Sequence, residues 1–409
     1  MKHARSTTFL PLIFPLLLFT CKDLGVVAPP RPIELRPLTQ SELKLVQANS
    51  RFWLGLLQEV NKADDAKNVF ISPLSISMAL GMTLNGARGE TFDSMRATLQ
   101  FSNMSEEEIN DSYRSLVALL TNADPNVQLN IANSIWHRNT FAVEREFIDI
   151  NKTYFDAVVS GLDFTSPSAV NVINSWVNDQ TRGKIGQIID KIRDYMMLYL
   201  INAIYFKGTW TSQFNKDKTR DDEFTLRDGS KQPCKMMMQE EEFGFYANEK
   251  FTSLDLPYGG RAFSMTIVLP RSGEDIGSFL NSFQTNEWET LITNLRETKI
   301  LTMIPKFKLE YETGLIPTLS GLGMGIAFSD YADFKRINKD VALCISEAKH
   351  KTYVNVDEEG TEAAAVTSIG VGVTSAPPMF RVDRPFLFVI RERSSGTILF
   401  VGKILNPNR

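Results

Sequence analysis

The residues of this chain with the most distinctive chemistry run from Asp357 to Pro377, close to the C-terminus, where a closed domain would be completing its core. After Gly360 the run carries a single charge, Glu362, and otherwise small or β-branched residues. Surface loops usually hold Asn, Asp, Pro and Lys instead. Read with a period of two, Thr361, Ala363, Ala365, Thr367, Ile369 and Val371 share one face, and the charge falls on the other. A strand alternates its side chains in this way. The chemistry on offer is therefore backbone hydrogen bonding, from a loop able to become a strand with its small, apolar face buried. Catalytic patterns are missing by comparison: no Gly-x-Ser-x-Gly elbow, Walker loop or His-Glu-x-x-His occurs. Gly321-Leu-Gly-Met-Gly325 lacks the spacing and the preceding strand of a phosphate loop and reads as a turn. His137 and His350 lie far apart, so no metal constellation is expected. The chain is expected not to be an enzyme and to need no cofactor. A net charge of -4 gives no electrostatic case for nucleic acid.

The elements that must position this run are legible in outline. Thr39-Gln-Ser-Glu42 has the form of a capping box, and Val46, Phe52, Trp53, Leu56, Leu57 and Val60 follow at helical spacing. Ser75–Leu84 reads as a buried helix, Glu106–Leu120 as an exposed one, and Asn171–Asp179 as another. Leu129–Trp136 alternates as a strand. Leu198–Phe206 is a near-continuous apolar run, expected at the centre of a sheet covered on both faces. Further strands are expected over Phe263–Leu269, Leu301–Leu309, Pro385–Arg391 and Thr397–Ile404, with Ser394-Ser-Gly396 closing a hairpin between the last two. Helices dominate early and strands late, which predicts an α+β fold.

Gly360-Thr-Glu-Ala-Ala-Ala365 resembles the proximal hinge of the reactive-centre loop in inhibitory serpins. The resemblance extends to Asn68-Val-Phe-Ile-Ser-Pro-Leu-Ser75, Leu84-Asn-Gly-Ala-Arg-Gly-Glu-Thr91, Ile201-Asn-Ala-Ile-Tyr-Phe-Lys-Gly-Thr-Trp210, Leu256-Pro-Tyr258, Ile304-Pro-Lys306, Ile345-Ser-Glu-Ala-Lys-His-Lys351 and Asp383-Arg-Pro-Phe-Leu-Phe388 with Gly402-Lys403. These stand in serpin order from about residue 43 onward. The resemblance implies three β-sheets, about nine helices and an exposed loop over about residues 359–384. It implies a suicide inhibitor of a serine protease, or of a papain-like cysteine protease, acting as a monomer. The alternative is a serpin fold used as a binding protein or chaperone. Family spacing from Gly360 places the scissile bond at Thr374–Ser375, with Val373–Thr374 and Ser375–Ala376 as neighbours. Val371, Val373, Thr374 and Ala376 are small or aliphatic and suit a shallow, elastase- or subtilisin-like pocket. The hinge comprises Glu359, Gly360, Thr361, Glu362, Ala363, Ala364 and Ala365. Ser72, Ser75, Asn202 and His350 match a buried polar cluster, the shutter, where strands part. Trp210, Lys306 and Glu359 match the breach where the loop enters, with Lys306–Glu359 as an expected salt bridge. Ser105-Glu-Glu-Glu108 stands where some members carry a basic polysaccharide-binding helix, so no such cofactor is expected.

The N-terminus reads as an export signal over residues 1–20. Lys2, His3 and Arg5 precede an apolar run, Phe9–Phe19, that is interrupted by Pro11 and Pro15 and too short to span a membrane. Cys21 then stands as in bacterial lipoproteins, with an ordinary export signal as the alternative. Lipidation there would make residues 21–38, rich in proline, a tether. The domain would occupy 39–409, attached to a cell envelope through the lipid alone, or secreted. Cys234 and Cys344 are left, either paired or free.

Overall fold

The computed structural model describes residues 35–361 and 378–409. Elements are numbered in chain order. The helices are α1 (Gln40–Ala63), α2 (Pro73–Leu84), α3 (Gly89–Thr98), α4 (Glu106–Thr121), α5 (Arg145–Phe155), α6 (Pro167–Gln180), α7 (Ile276–Ser282), α8 (Thr285–Thr293) and the short α9 (Ile316–Leu319). Capping boxes open α1 at Thr39 and α4 at Ser105, each with the glutamate three residues on reaching back to the cap. Glu42 is nearly wholly buried and also accepts hydrogen bonds from Nη1 and Nη2 of Arg36, which fixes the chain entering α1. The helix expected to be exposed, α4, is amphipathic and buries Tyr113, Leu116 and Leu120.

A six-stranded sheet runs in the order β10 (Phe307–Gly314), β11 (Lys349–Val356), β12 (Gly360–Thr361), β4 (Leu198–Thr209), β2 (Val127–Arg138), β3 (Val158–Leu162). A nine-stranded sheet runs β1 (Val69–Ile71), β15 (Ile398–Ile404), β14 (Phe386–Glu392), β8 (Phe263–Pro270), β7 (Phe251–Tyr258), β6 (Lys231–Ala247), β9 (Arg296–Pro305), β13 (Met379–Arg381), and β5 (Arg220–Thr225) pairs with β6. The long β6 divides this second sheet. Its first part pairs with β5 and β9, and its last residues, Gly244–Ala247, pair with β7. The two lobes so defined, with the six-stranded sheet, make up the three-sheet α+β architecture.

The core lies between the six-stranded sheet and the β7–β15 lobe. Phe70 stacks on Phe388 and Phe400 at 5.5 and 5.1 Å, and α2 packs against both β4 and β15. One expected strand divides in two. Leu301–Leu309 is the end of β9 and the start of β10, and these belong to different sheets. The chain changes sheet at Lys306, whose backbone N–H bonds Lys235 O at 2.8 Å.

Candidate functional site

The site is the place where the chain leaves β11, turns over Asp357–Gly360, and re-enters the six-stranded sheet as β12. Thr361 lies opposite Val356 of β11, and Gly360 and Thr361 lie opposite Thr209 and Gly208 of β4. Both pairings are antiparallel, so β4 and β11 run parallel with a strand position between them. Among the described residues β4 and β11 make no ladder with each other; the two residues of β12 are what joins them. Farther along, their facing edges border an apolar cavity of about 360 Å³ whose described lining includes Ile201, Asn202, Ile189, Leu343 and His350.

The turn is firmly held. Asp357 N–H bonds Gly360 O at 3.0 Å and Asp357 Oδ1 accepts from Glu359 N–H at 3.0 Å. Trp210 donates its backbone N–H to Glu359 O and its indole N–H to Asp357 O, both at 2.9 Å. Gly360 has φ +149°, and a Cβ there would stand 2.2 Å from Gly208 O. Only glycine tolerates both the conformation and the approach. Gly360→Ala is therefore expected to lower stability by roughly 2–4 kcal/mol, from backbone strain added to a steric clash. A urea midpoint matching wild type would show that the hinge is not held between β4 and β11.

The expected Lys306–Glu359 salt bridge is not what forms. Lys306 Nζ bonds Glu358 Oε2 at 2.6 Å, Thr219 Oγ1 donates to the other oxygen at 2.8 Å, and Glu359 pairs with Lys216. Of the two glutamates in the turn, the more enclosed is Glu358, whose side chain is 5% exposed against 12% for Glu359. Burial opposes its ionisation, but the bonds from Lys306 and Thr219 outweigh it and hold the carboxyl below the usual range. A charge this enclosed depends on its partner far more than a surface pair does.

Of the four expected shutter residues, Ser72, Ser75 and His350 are joined by hydrogen bonds, and Asn202, which borders the same cavity, bonds elsewhere. Ser72 caps α2 by accepting from Ser75 N–H at 3.2 Å, donates its hydroxyl to Leu399 O at 2.6 Å, and gives its backbone N–H to His350 Nε2 at 2.9 Å. Asn202 lies on β4, across the strand position from His350, and bonds Asn133 Oδ1 of β2 at 2.7 Å. Its own Oδ1 is buried and unpartnered among the described residues. Asn133 went unrecognised in the sequence because nothing in its local pattern marks it. Burial pushes His350 down to about 3, so it stays neutral and accepts from Ser72. The folded-state value lies below the unfolded one near 6.5, so unfolded chains bind the proton first as pH falls. Stability is full above about pH 6.5 and declines below it, by about 2 kcal/mol at pH 5. A His350→Asn protein should show a flatter decline in midpoint between pH 7 and 5, and identical slopes would rule His350 out.

At the far end of the loop, Met379, Phe380 and Arg381 of β13 pair in parallel with Leu301, Thr302 and Met303 of β9. Glu362, Ala363, Ala364, Ala365, Val371, Val373, Thr374, Ser375, Ala376 and Cys21 lie outside the described residues. Cys234 is buried and Cys344 exposed, and both are free thiols.

The family model for serpins, serine protease inhibitors, matches residues 47–407. The chain is a serpin. It is 37% identical over 379 residues to the leukocyte elastase inhibitor of Sus scrofa, covering 89% of this chain and all of that protein. Among solved structures it resembles the native state of tengpin, a thermophilic serpin, with TM-score 0.82, 32% identity, and coverage of 93% and 97% of the two chains. Human thyroxine-binding globulin complexed with thyroxine matches with TM-score 0.83 and 30% identity, over 90% of this chain and 100% of that one. As a serpin, the chain presents its hinge at a strand position bounded by β4 and β11. The sequence placed Trp210, Lys306, Gly360 and Thr361 there. It missed Tyr258, Thr219, Lys216 and Glu358, although Leu256-Pro-Tyr258 had stood out as a motif.

Proposed function

We propose that this serpin is a single-use inhibitor of serine proteases with small, shallow specificity pockets, of the elastase or subtilisin type. The protease's serine oxygen attacks the carbonyl carbon of Thr374. The Thr374–Ser375 bond breaks, the Ser375 amine leaves with a proton, and an ester joins the two proteins. The freed strand then continues the path that Gly360 and Thr361 have begun between β4 and β11. From Gly360 to Thr374 it spans about 50 Å at about 3.3 Å per residue. The tethered protease is carried a comparable distance, and its active site is distorted before water can release it. New ladder bonds, at roughly 0.5–1.5 kcal/mol net each, and burial of the strand's small, apolar face drive the step.

The observation that carries this reading is β12 itself, with Gly360 and Thr361 seated between two strands that, among the described residues, do not pair with each other. A relative named for elastase inhibition supports the choice of target. The test is to mix the mature protein with pancreatic elastase and examine it on a denaturing gel with mass spectrometry. A complex that survives denaturant, with a peptide beginning at Ser375, is expected. Clean cleavage with no complex and no rise in melting temperature would instead favour a non-inhibitory binding role. We further propose that Cys21 is lipidated and tethers the inhibitor at a cell envelope; an unmodified mature N-terminus would overturn this.

A further inference from the structure

The hydroxyls of Tyr258 and Thr361 lie 2.7 Å apart, with both residues buried. They come from different sheets: Tyr258 ends β7, and Thr361 is the second residue of β12. The phenol is rigidly placed. Its ring stacks on Trp210 at 4.4 Å and 11°, and meets Phe206 edge-on at 5.2 Å. Gly208, the β4 residue opposite Thr361, leaves the ring its space, since a Cβ there would come within 2.8 Å of Tyr258 Cδ1. Trp210 in turn holds the hinge turn through Asp357 and Glu359.

From this geometry we propose that Tyr258 is a positioning residue that seats Thr361 as the first residue of the inserting strand, and thereby sets how often an attacking protease is trapped rather than released. The proposal rests on the inhibitory reading above. Insertion competes with hydrolysis of the acyl-enzyme, so whatever nucleates the strand early raises the trapped fraction. Thr361 is already in the sheet and out of water in the uncut chain, and an unpaired buried hydroxyl there would favour its withdrawal before the rest of the strand can follow. Tyr258 supplies the missing partner at the first strand position, before any later residue has entered. Burial pushes its phenol up, so it remains neutral and can donate or accept.

The experiment compares wild type, Tyr258→Phe, Thr361→Val and the double variant against pancreatic elastase. Each single change leaves one buried hydroxyl without its partner. Each should raise the number of inhibitor molecules consumed per protease trapped, by about 5-fold. The association rate should not change, because the residues that meet the protease are untouched. The double variant removes both hydroxyls and should lie closer to wild type than either single one. Tyr258→Phe with wild-type consumption, or single effects that simply add in the double variant, would overturn the proposal. A wild-type protein that is cut but never trapped would overturn the inhibitory reading instead. In that case the rate at which melting temperature rises after cleavage still reports insertion, and a Tyr258→Phe protein matching wild type there would overturn the latch.

Discussion

Under the inhibitory mechanism proposed above, replacing Thr361 with arginine is expected to turn this serpin into a substrate that elastase cuts and releases. Thr361 is 2% exposed, its backbone lies between β4 and β11, and its side chain points to the Tyr258 hydroxyl. A guanidinium placed there would have to displace packed rings. The enclosed carboxylate of the hinge turn, Glu358, is already engaged by Lys306 and Thr219. An unpaired buried charge costs several kcal/mol, and about 4 kcal/mol at the insertion step is roughly a thousandfold in rate. Hydrolysis of the acyl-enzyme would then win. The gel should show the same new N-terminus at the wild-type cleavage rate, with no high-mass complex. A complex at the wild-type ratio would mean that insertion does not begin at this hinge.

Under the same proposed mechanism, Thr374→Arg should redirect the serpin rather than disable it. The hinge and the strand position are untouched, so trapping stays intact, while the bait now carries a planar cation. A shallow apolar pocket loses its fit to so large a charged group, and a pocket floored by a carboxylate gains a bidentate partner. Association with elastase should fall at least about 100-fold, and trypsin should become a trapped target. If elastase is still trapped as fast and trypsin is not, the attacked bond is a neighbour, Val373–Thr374 or Ser375–Ala376.

Much of the architecture could be read from the chain because it is written locally. The apolar run Leu198–Phe206 is β4, and the capping boxes at Thr39 and Ser105 start α1 and α4. Ser394-Ser-Gly396 does close the hairpin between β14 and β15. What escaped was non-local. The apolar pattern of Leu301–Leu309 passes through Lys306 without a mark, because a period of two records faces and not which sheet a strand joins. The choice of Glu358 over Glu359 depends on where the β9–β10 junction lies in space. The Tyr258–Thr361 bond joins residues far apart in sequence, one from each sheet. Asn202 and His350 matched one cluster by motif, yet the position between β4 and β11 separates them, and strand order alone decides that.

The pairing of β13 with β9 bears on reversibility. An acyl-enzyme can be undone in two ways: by water, or by the departed amine returning to remake the peptide bond. That amine begins the C-terminal fragment, which includes β14 and β15, both buried along their whole length in the nine-stranded sheet. Cleavage anywhere in 362–377 therefore leaves two chains sharing one core, a single species on a native gel that only denaturant separates. From Met379 onward the fragment is paired to β9, while on the proposed mechanism the acylated end would be drawn down the other sheet. The two reacting groups would be parted by the protein's own architecture, so the trap would be closed to resynthesis as firmly as to hydrolysis.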